Sequence, residues 1–239
     1  MNHPILGILG GVGPLATACF MEMIINKTHA QCDQDNIPMI IYNDPQIPDR
    51  TAYILGKSDT NPVPEMIKMA RKLEKSGVDY IAIPCNTAHY FYEEIQRATA
   101  LPVLNIMQLT AQDIAHHSVN NKVGLMATEG TAKSKVFQNF FNSAHLETIL
   151  PNDQEQAIIT FLIYDCVKSG KPANIQAFLD VAHALHERGC GTVVVGCTEL
   201  SVIYQQLEQR PDYLVDSLDI LANACVEYYF SHHTPTHES

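Results

Sequence analysis

Two stretches of the chain share one pattern of apolar and polar positions. Ile81-Ala-Ile-Pro-Cys85-Asn86-Thr87-Ala-His89 and Val193-Val-Val-Gly196-Cys197-Thr198-Glu199-Leu200 are each an apolar, largely β-branched run that stops at a cysteine followed by small hydrogen-bonding residues. A short run without alternation reads as a strand buried on both faces of a parallel sheet, and the polar residues after it as a loop opening into a helix. Ile5–Leu9 gives another such strand, with Gly10-Gly11-Val12-Gly13-Pro14 as a tight loop feeding a helix to about Thr28. Met39–Tyr42 is the next strand. A helix opens at Pro64, carries Met66, Ala70 and Leu73 on one face and stops at Gly77. A helix over His89–Thr99, a short strand over Leu101–Asn105 and a helix from Thr110 to about His117 follow.

The pattern then repeats. Lys122-Val-Gly124-Leu-Met answers Ile5-Leu-Gly7-Ile-Leu, Cys197 answers Cys85, and Tyr213-Leu-Val-Asp216 answers Val103-Leu-Asn105, each about half the chain further on. An amphipathic helix with Ile175, Phe178, Leu179, Ala182 and Leu185 on one face precedes the second cysteine strand. The repeat predicts an α/β fold of two similar lobes, each a mostly parallel sheet flanked by helices, related by a pseudo-twofold axis. Residues 1–105 with the C-terminal helix 214–239 form the first lobe and 106–213 the second. Ligands bind such sheets at the C-terminal strand edge, so Cys85 and Cys197 are expected to face one cleft from opposite sides, and a helix N-terminus there would bias each thiol toward thiolate.

Composition narrows the partners. The 239 residues are 46% hydrophobic, enough for packed cores without a metal or disulfide. Fifteen Lys and Arg against 26 Asp and Glu give a net charge of −11, with no basic cluster, which argues against nucleic acid and against anionic membrane surfaces. No apolar run is long enough to span a bilayer and no leader pattern precedes Ile5, so a cytoplasmic location is expected. Seven cysteines, odd in number and irregular in spacing, fit a reducing compartment. The glycine loop has neither the dinucleotide spacing nor a Gly-Lys-Ser/Thr, so it reads as backbone that must approach a neighbour closely. No metal site is expected: Cys85, His89 and Cys197 lack a fourth ligand at a recognisable spacing.

Two opposed thiols suit proton exchange at a carbon acid, where one group takes a proton from one face while the other returns one to the opposite face. The developing enediolate needs donors, and the backbone amides after the cysteines, the Asn86 amide and the hydroxyls of Thr87 and Thr198 are placed to supply them. Arg50, in the strand-end loop Gln46-Ile-Pro-Asp-Arg-Thr51, is either a carboxylate clamp or a surface residue paired with Asp49. Lys168, before Ser-Gly-Lys-Pro, is a solvated lysine unless it reaches the cleft as a second cation. Glu199 either orients a partner or caps the helix N-terminus. His89 reads as a polar helix residue.

Taken together, Gly10-Gly-Val-Gly-Pro14, Ile47-Pro-Asp-Arg50-Thr51, Pro84-Cys-Asn-Thr-Ala-His89, Gly124-Leu-Met-Ala-Thr128 with Gly130-Thr131, and Gly196-Cys-Thr-Glu-Leu200 resemble the aspartate/glutamate racemase superfamily, nearest its aspartate racemase branch, over almost the whole chain. The resemblance implies a cofactor-independent homodimer that interconverts the enantiomers of an amino dicarboxylic acid, aspartate first with glutamate as the further candidate, with Cys85 and Cys197 as the acid–base pair. It assigns Arg50 and Lys168 to the substrate carboxylates and lines the cleft with Asn86, Thr87, Thr128 and Thr198. The chain departs from glutamate racemases, which open with Asp-Ser before the glycine loop and follow the second cysteine with Thr-His; here the residues are Leu9-Gly10 and Thr198-Glu199. The superfamily also contains decarboxylases, hydantoin racemases and maleate isomerases, so a dicarboxylate cis–trans isomerase and a non-catalytic dicarboxylate-binding protein remain the alternatives.

Overall fold

The computed structural model describes residues 3–232, and residues 233–239 of the expected C-terminal helix lie outside them. Seven strands form: β1 (Leu6–Gly10), β2 (Met39–Asn43), β3 (Tyr80–Ala82), β4 (Lys122–Met126), β5 (Glu147–Ile149), β6 (Thr192–Val195) and β7 (Leu214–Asp216). They make two parallel sheets in the orders β2-β1-β3 and β5-β4-β6-β7. β1, β3 and β6 are buried along their whole length, as unalternating apolar runs require.

The register establishes the internal repeat. Gly7 of β1 pairs with Ile81 of β3, and Gly124 of β4 pairs with Val193 of β6. Each cysteine lies the same short distance along the chain from the residue paired with its lobe's glycine. The repeat is imperfect at the fourth strand. The expected strand over Leu101–Asn105 is reduced to a single bridge between Ile81 and Val103, whereas its counterpart β7 pairs with β6 over three residues. Pro102 has no N–H to extend the ladder, and Asn105 turns at once into a helix cap: its side chain accepts hydrogen bonds from the Met107 and Gln108 amides. The following helix therefore starts at Ile106, a turn earlier than Thr110.

The lobes share a core. One cluster of buried side chains runs from Leu6, Ile8 and Phe20 of the first lobe through Ile106 and Ile114 to Val123, Leu125 and Phe137 of the second, and on to Leu218 and Tyr229. Outside it each lobe has its own layer, with Leu9, Met66, Leu73 and Ile81 in the first and Ile163, Phe178, Leu185 and Val195 in the second. The helix after each fourth strand crosses over. Ile106–His117 packs on the Val136–Ser143 helix of the second lobe, and Ser217–His232 on the Pro14–Thr28 helix of the first. The stretch from 214 thus divides, its strand in the second sheet and its helix against the first lobe.

Candidate active site

Both cysteines lie just beyond the C-terminal ends of equivalent strands, Cys85 after β3 and Cys197 as the residue preceding the Thr198–Tyr204 helix. Both are almost fully buried, and all seven cysteines of the chain are free thiols. A small, narrow cavity opens at this edge, lined among others by Arg50, Cys85, Thr87, Thr128, Lys168 and Glu199. Five of the expected site residues therefore meet in one space. Cys197, Asn86 and Thr198 are buried around it rather than lining it.

Arg50 is only 7% exposed and begins the short Arg50–Ile54 helix. Asp49 does not pair with it; its Oδ1 accepts from the Ala52 amide at 2.6 Å and caps that helix. Arg50 Nη1 donates to the carbonyls of Ile47 and Pro48, at 3.2 and 3.0 Å, which pins the guanidinium while Nε keeps no hydrogen-bond partner. Lys168 follows a π-helical turn, Leu162–Val167, and its amide donates to the Ile163 carbonyl. Its ammonium reaches the cavity, 3.6 Å from Glu199 Oε1 and 5.0 Å from the centre of the Tyr164 ring. The residue is exposed overall, yet its ammonium borders the cavity as the second cation.

Across the lobes, Thr87 Oγ1 lies 3.1 Å from Thr128 Oγ1 and 2.9 Å from Thr131 Oγ1. The Asn86 amide donates to Ser217 Oγ at 3.0 Å, and Ser217 donates to the Val195 carbonyl. These bonds tie the first cysteine loop to the second lobe. His89 is buried, with Nδ1 2.8 Å from the Cys85 carbonyl and Nε2 3.3 Å from the Ile106 amide. Nε2 also lies 3.3 Å from the Leu104 carbonyl, so the ring latches the Cys85 loop to the start of the crossover helix. The glycine loop closes on Asp44, since a Cβ on Gly11, whose φ is +87°, would lie 2.3 Å from the Asp44 carbonyl carbon.

Glu199 proves central. The Cys197 thiol donates to its Oε2 at 3.1 Å while Oε1 faces Lys168. The sequence leaves its role open between cap and partner, because contact with a lysine 31 positions earlier depends on the tertiary fold. Tyr164 and Thr131 join the site by the same route.

The expected thiolate bias is reversed. Burial pushes the Cys85 thiol above its ordinary value, with Arg50 and Lys168 pulling it back and Glu199 adding to the rise. Burial and then the Glu199 carboxylate push Cys197 well above. Burial lowers the Lys168 pKa, but the neighbouring Glu199 carboxylate outweighs it and the net shift is upward. Both thiols are thus held protonated in the unliganded protein, beside two cations. Four of the nine buried side-chain polar atoms without a hydrogen-bond partner among the described residues belong to this site: Arg50 Nε, Asn86 Oδ1, Thr198 Oγ1 and Glu199 Oε1. Orphaned buried groups are costly, and two of these, Arg50 Nε and Glu199 Oε1, belong to residues that line the cavity, where a polar ligand or water can satisfy them.

The profile of the Asp/Glu/Hydantoin racemase family matches residues 9–225. The chain is 30% identical over 232 residues to the broad specificity amino-acid racemase RacX of Bacillus subtilis, covering 95% of this chain and 99% of that one. Among solved structures it superimposes on the aspartate racemase of Picrophilus torridus with a TM-score of 0.81 at 30% identity, covering 95% of this chain and 94% of that one. Glutamate racemase from Francisella tularensis, at 17% identity and a TM-score of 0.69 over 98% of this chain and 85% of that one, shares the fold. With two parallel-sheet lobes, paired strand-end cysteines and a match along nearly its whole length, the chain belongs to the Asp/Glu/hydantoin racemase family.

Proposed function

We propose that the protein interconverts L- and D-aspartate without a cofactor, Cys85 and Cys197 acting as a thiolate/thiol pair. The observation that carries this reading is the placement of two buried cysteines at equivalent strand ends of the two lobes, in one environment with two cations. In each turnover the thiolate of one cysteine takes the α-proton and becomes a thiol. The thiol of the other delivers its proton to the opposite face and becomes the thiolate. No net proton is consumed, and the negative charge passes from one sulfur to the other. Thiols whose pKa is raised are stronger bases once ionised, which suits a weakly acidic α-proton. Arg50 and Lys168 neutralise the two carboxylates, and the hydroxyls of Thr87, Thr128 and Thr198 with the Asn86 amide supply polar contacts to the enediolate. By resemblance Cys197 deprotonates the L enantiomer and Cys85 the D enantiomer, in a cytoplasmic homodimer whose assembly light scattering would check.

Circular dichroism of the reduced protein with L-aspartate in D₂O, without added pyridoxal phosphate or metal, tests the reaction. The signal is expected to decay to zero with deuterium entering the α position. Cys85→Ser and Cys197→Ser should each lower racemisation by about 10²–10⁴-fold while thermal melting stays close to wild type. Near wild-type turnover in either variant would exclude the two-thiol mechanism. Conversion of maleate with no α-deuteration of aspartate would favour the isomerase alternative.

A further inference from the structure

The amino-acid reading of this site leaves one substrate group without a partner. Arg50 and Lys168 answer two carboxylates, yet the α-ammonium needs a buried acceptor, and a positive group placed beside two cations alone would be repelled. Two carboxylates line the cavity. Asp49 is half-buried, caps the Arg50–Ile54 helix through Oδ1 and the Ala52 amide, and has no oxygen among the buried orphaned atoms. Glu199 has its Oε2 on the Cys197 thiol, but its Oε1 has no hydrogen-bond partner and stands 3.6 Å from Lys168 Nζ, beyond hydrogen-bonding distance. That oxygen is kept open by Gly13, where a Cβ would come within 2.8 Å of it. Gly13 and Glu199 also line the wider mouth that leads outward past Pro14, Ile47 and Val167.

We propose that Glu199 recognises the substrate's α-ammonium group through Oε1 while Oε2 holds the Cys197 thiol, so that a single carboxylate fixes both the amine and the acid–base group. The geometry is self-consistent. An ammonium about 2.8 Å from Oε1 carries its α-carbon about 1.5 Å further, which sets that carbon beside a sulfur already bonded to the other oxygen of the same carboxylate. Glu199 thereby selects α-amino acids over dicarboxylates that lack the amine, because a second dianion without an ammonium meets a like charge and takes up none of the orphaned acceptor. This inference rests on the amino-acid reading, and it concerns binding rather than turnover.

Titration calorimetry on the full reduced chain, with L-aspartate and with succinate, the same dicarboxylate without the amine, tests it. The wild type should bind aspartate the more tightly. Glu199→Gln should weaken aspartate by about tenfold or more, the loss of one charge-assisted hydrogen bond, and should leave succinate unchanged or tighter because Lys168 is released. Gly13→Ala, which keeps the Glu199 charge but sets a methyl group 2.8 Å from Oε1 and so displaces that oxygen, should reproduce the loss for aspartate and spare succinate; it serves as an independent variant should Glu199→Gln fold poorly. Equal losses for both ligands, or undiminished aspartate binding in the two variants, would overturn the assignment. Racemisation measured in parallel separates the two ideas. Aspartate that binds with this discrimination but is not racemised removes the racemase reading and leaves the ammonium site standing, whereas racemisation with unimpaired aspartate binding in Glu199→Gln removes the ammonium site alone.

Discussion

Cys85 and Cys197 owe their character to opposite neighbours. Arg50 is the main charge acting on Cys85 and pulls its pKa down, while Glu199 is the main charge acting on Cys197 and pushes its pKa up. Burial dominates both, so the net direction is upward for each. In the proposed mechanism the attacking form is the thiolate, so activity should rise with pH along a limb that lies above the ordinary thiol value of about 8.5. Glu199→Gln removes a negative charge that raises both thiols, so the limb should move to lower pH in a kcat/KM profile. A limb that stays put or moves up would show that Glu199 does not govern the thiols. That the cysteines and Arg50 gather at one strand edge was legible in the sequence, because each sits inside a local motif at a strand end. Glu199 was not, since its two contacts, to a sulfur two residues away and to a lysine in another element, exist only once the chain has folded.

At the level of elements, the repeat was legible because apolar runs and their terminal residues recur in order, while the loss of the first lobe's fourth strand was hidden in Pro102 and the early cap at Asn105. That comparison gives an internal control for Asp216, which stands at the end of β7 where Asn105 stands in the first lobe. Asn105 Oδ1 accepts from Met107 and Gln108, and Asp216 Oδ1 accepts from Ser201 Oγ at 2.6 Å and from the Leu218 amide at 3.0 Å. Asp216 is 2% exposed, and burial pushes its carboxyl up to about 7 from an ordinary 3.8, opposed by the Ser201 and Leu218 hydrogen bonds. A raised folded-state pKa means the fold prefers the protonated acid. The stability it contributes is fully present below the unfolded value and is lost as pH climbs from about 4 through about 7. Asp216→Asn keeps the acceptor oxygen and removes the titration. Urea denaturation should find the variant more stable than wild type at pH 8 by on the order of 3 kcal/mol, the gain shrinking toward pH 4.5. A constant difference across that range would mean that Asp216 does not titrate in the fold.

The whole molecule works only if the two lobes meet at one spacing, since the cavity is built from both: Arg50, Cys85 and Thr87 from the first half of the chain, Thr128, Lys168 and Glu199 from the second. The shared core from Leu6 to Leu125 sets that spacing deep inside, and the Thr87–Thr128–Thr131 hydroxyls set it at the rim. One tight backbone approach at the rim is Gly130 against Thr51, where a Cβ would lie 2.9 Å from the Thr51 Cα. That atom belongs to the main chain and cannot rotate away, and Thr51 follows Arg50 directly. Gly130→Ala must therefore move the Arg50 loop or part the lobes. Its stability cost should be about 1–3 kcal/mol, as for an added methyl group in a packed region. The loss in kcat/KM should be larger than that of a core substitution of equal cost, such as Leu185→Val, whose side chain packs in the second lobe's own layer and does not line the cavity. Denaturation curves and kinetics on the two variants decide it. If they lose activity in proportion to stability alone, the rim contact has no special part in setting the site; if Gly130→Ala loses activity well beyond its stability cost, the spacing of the lobes at Thr51 is what places Arg50 for the substrate.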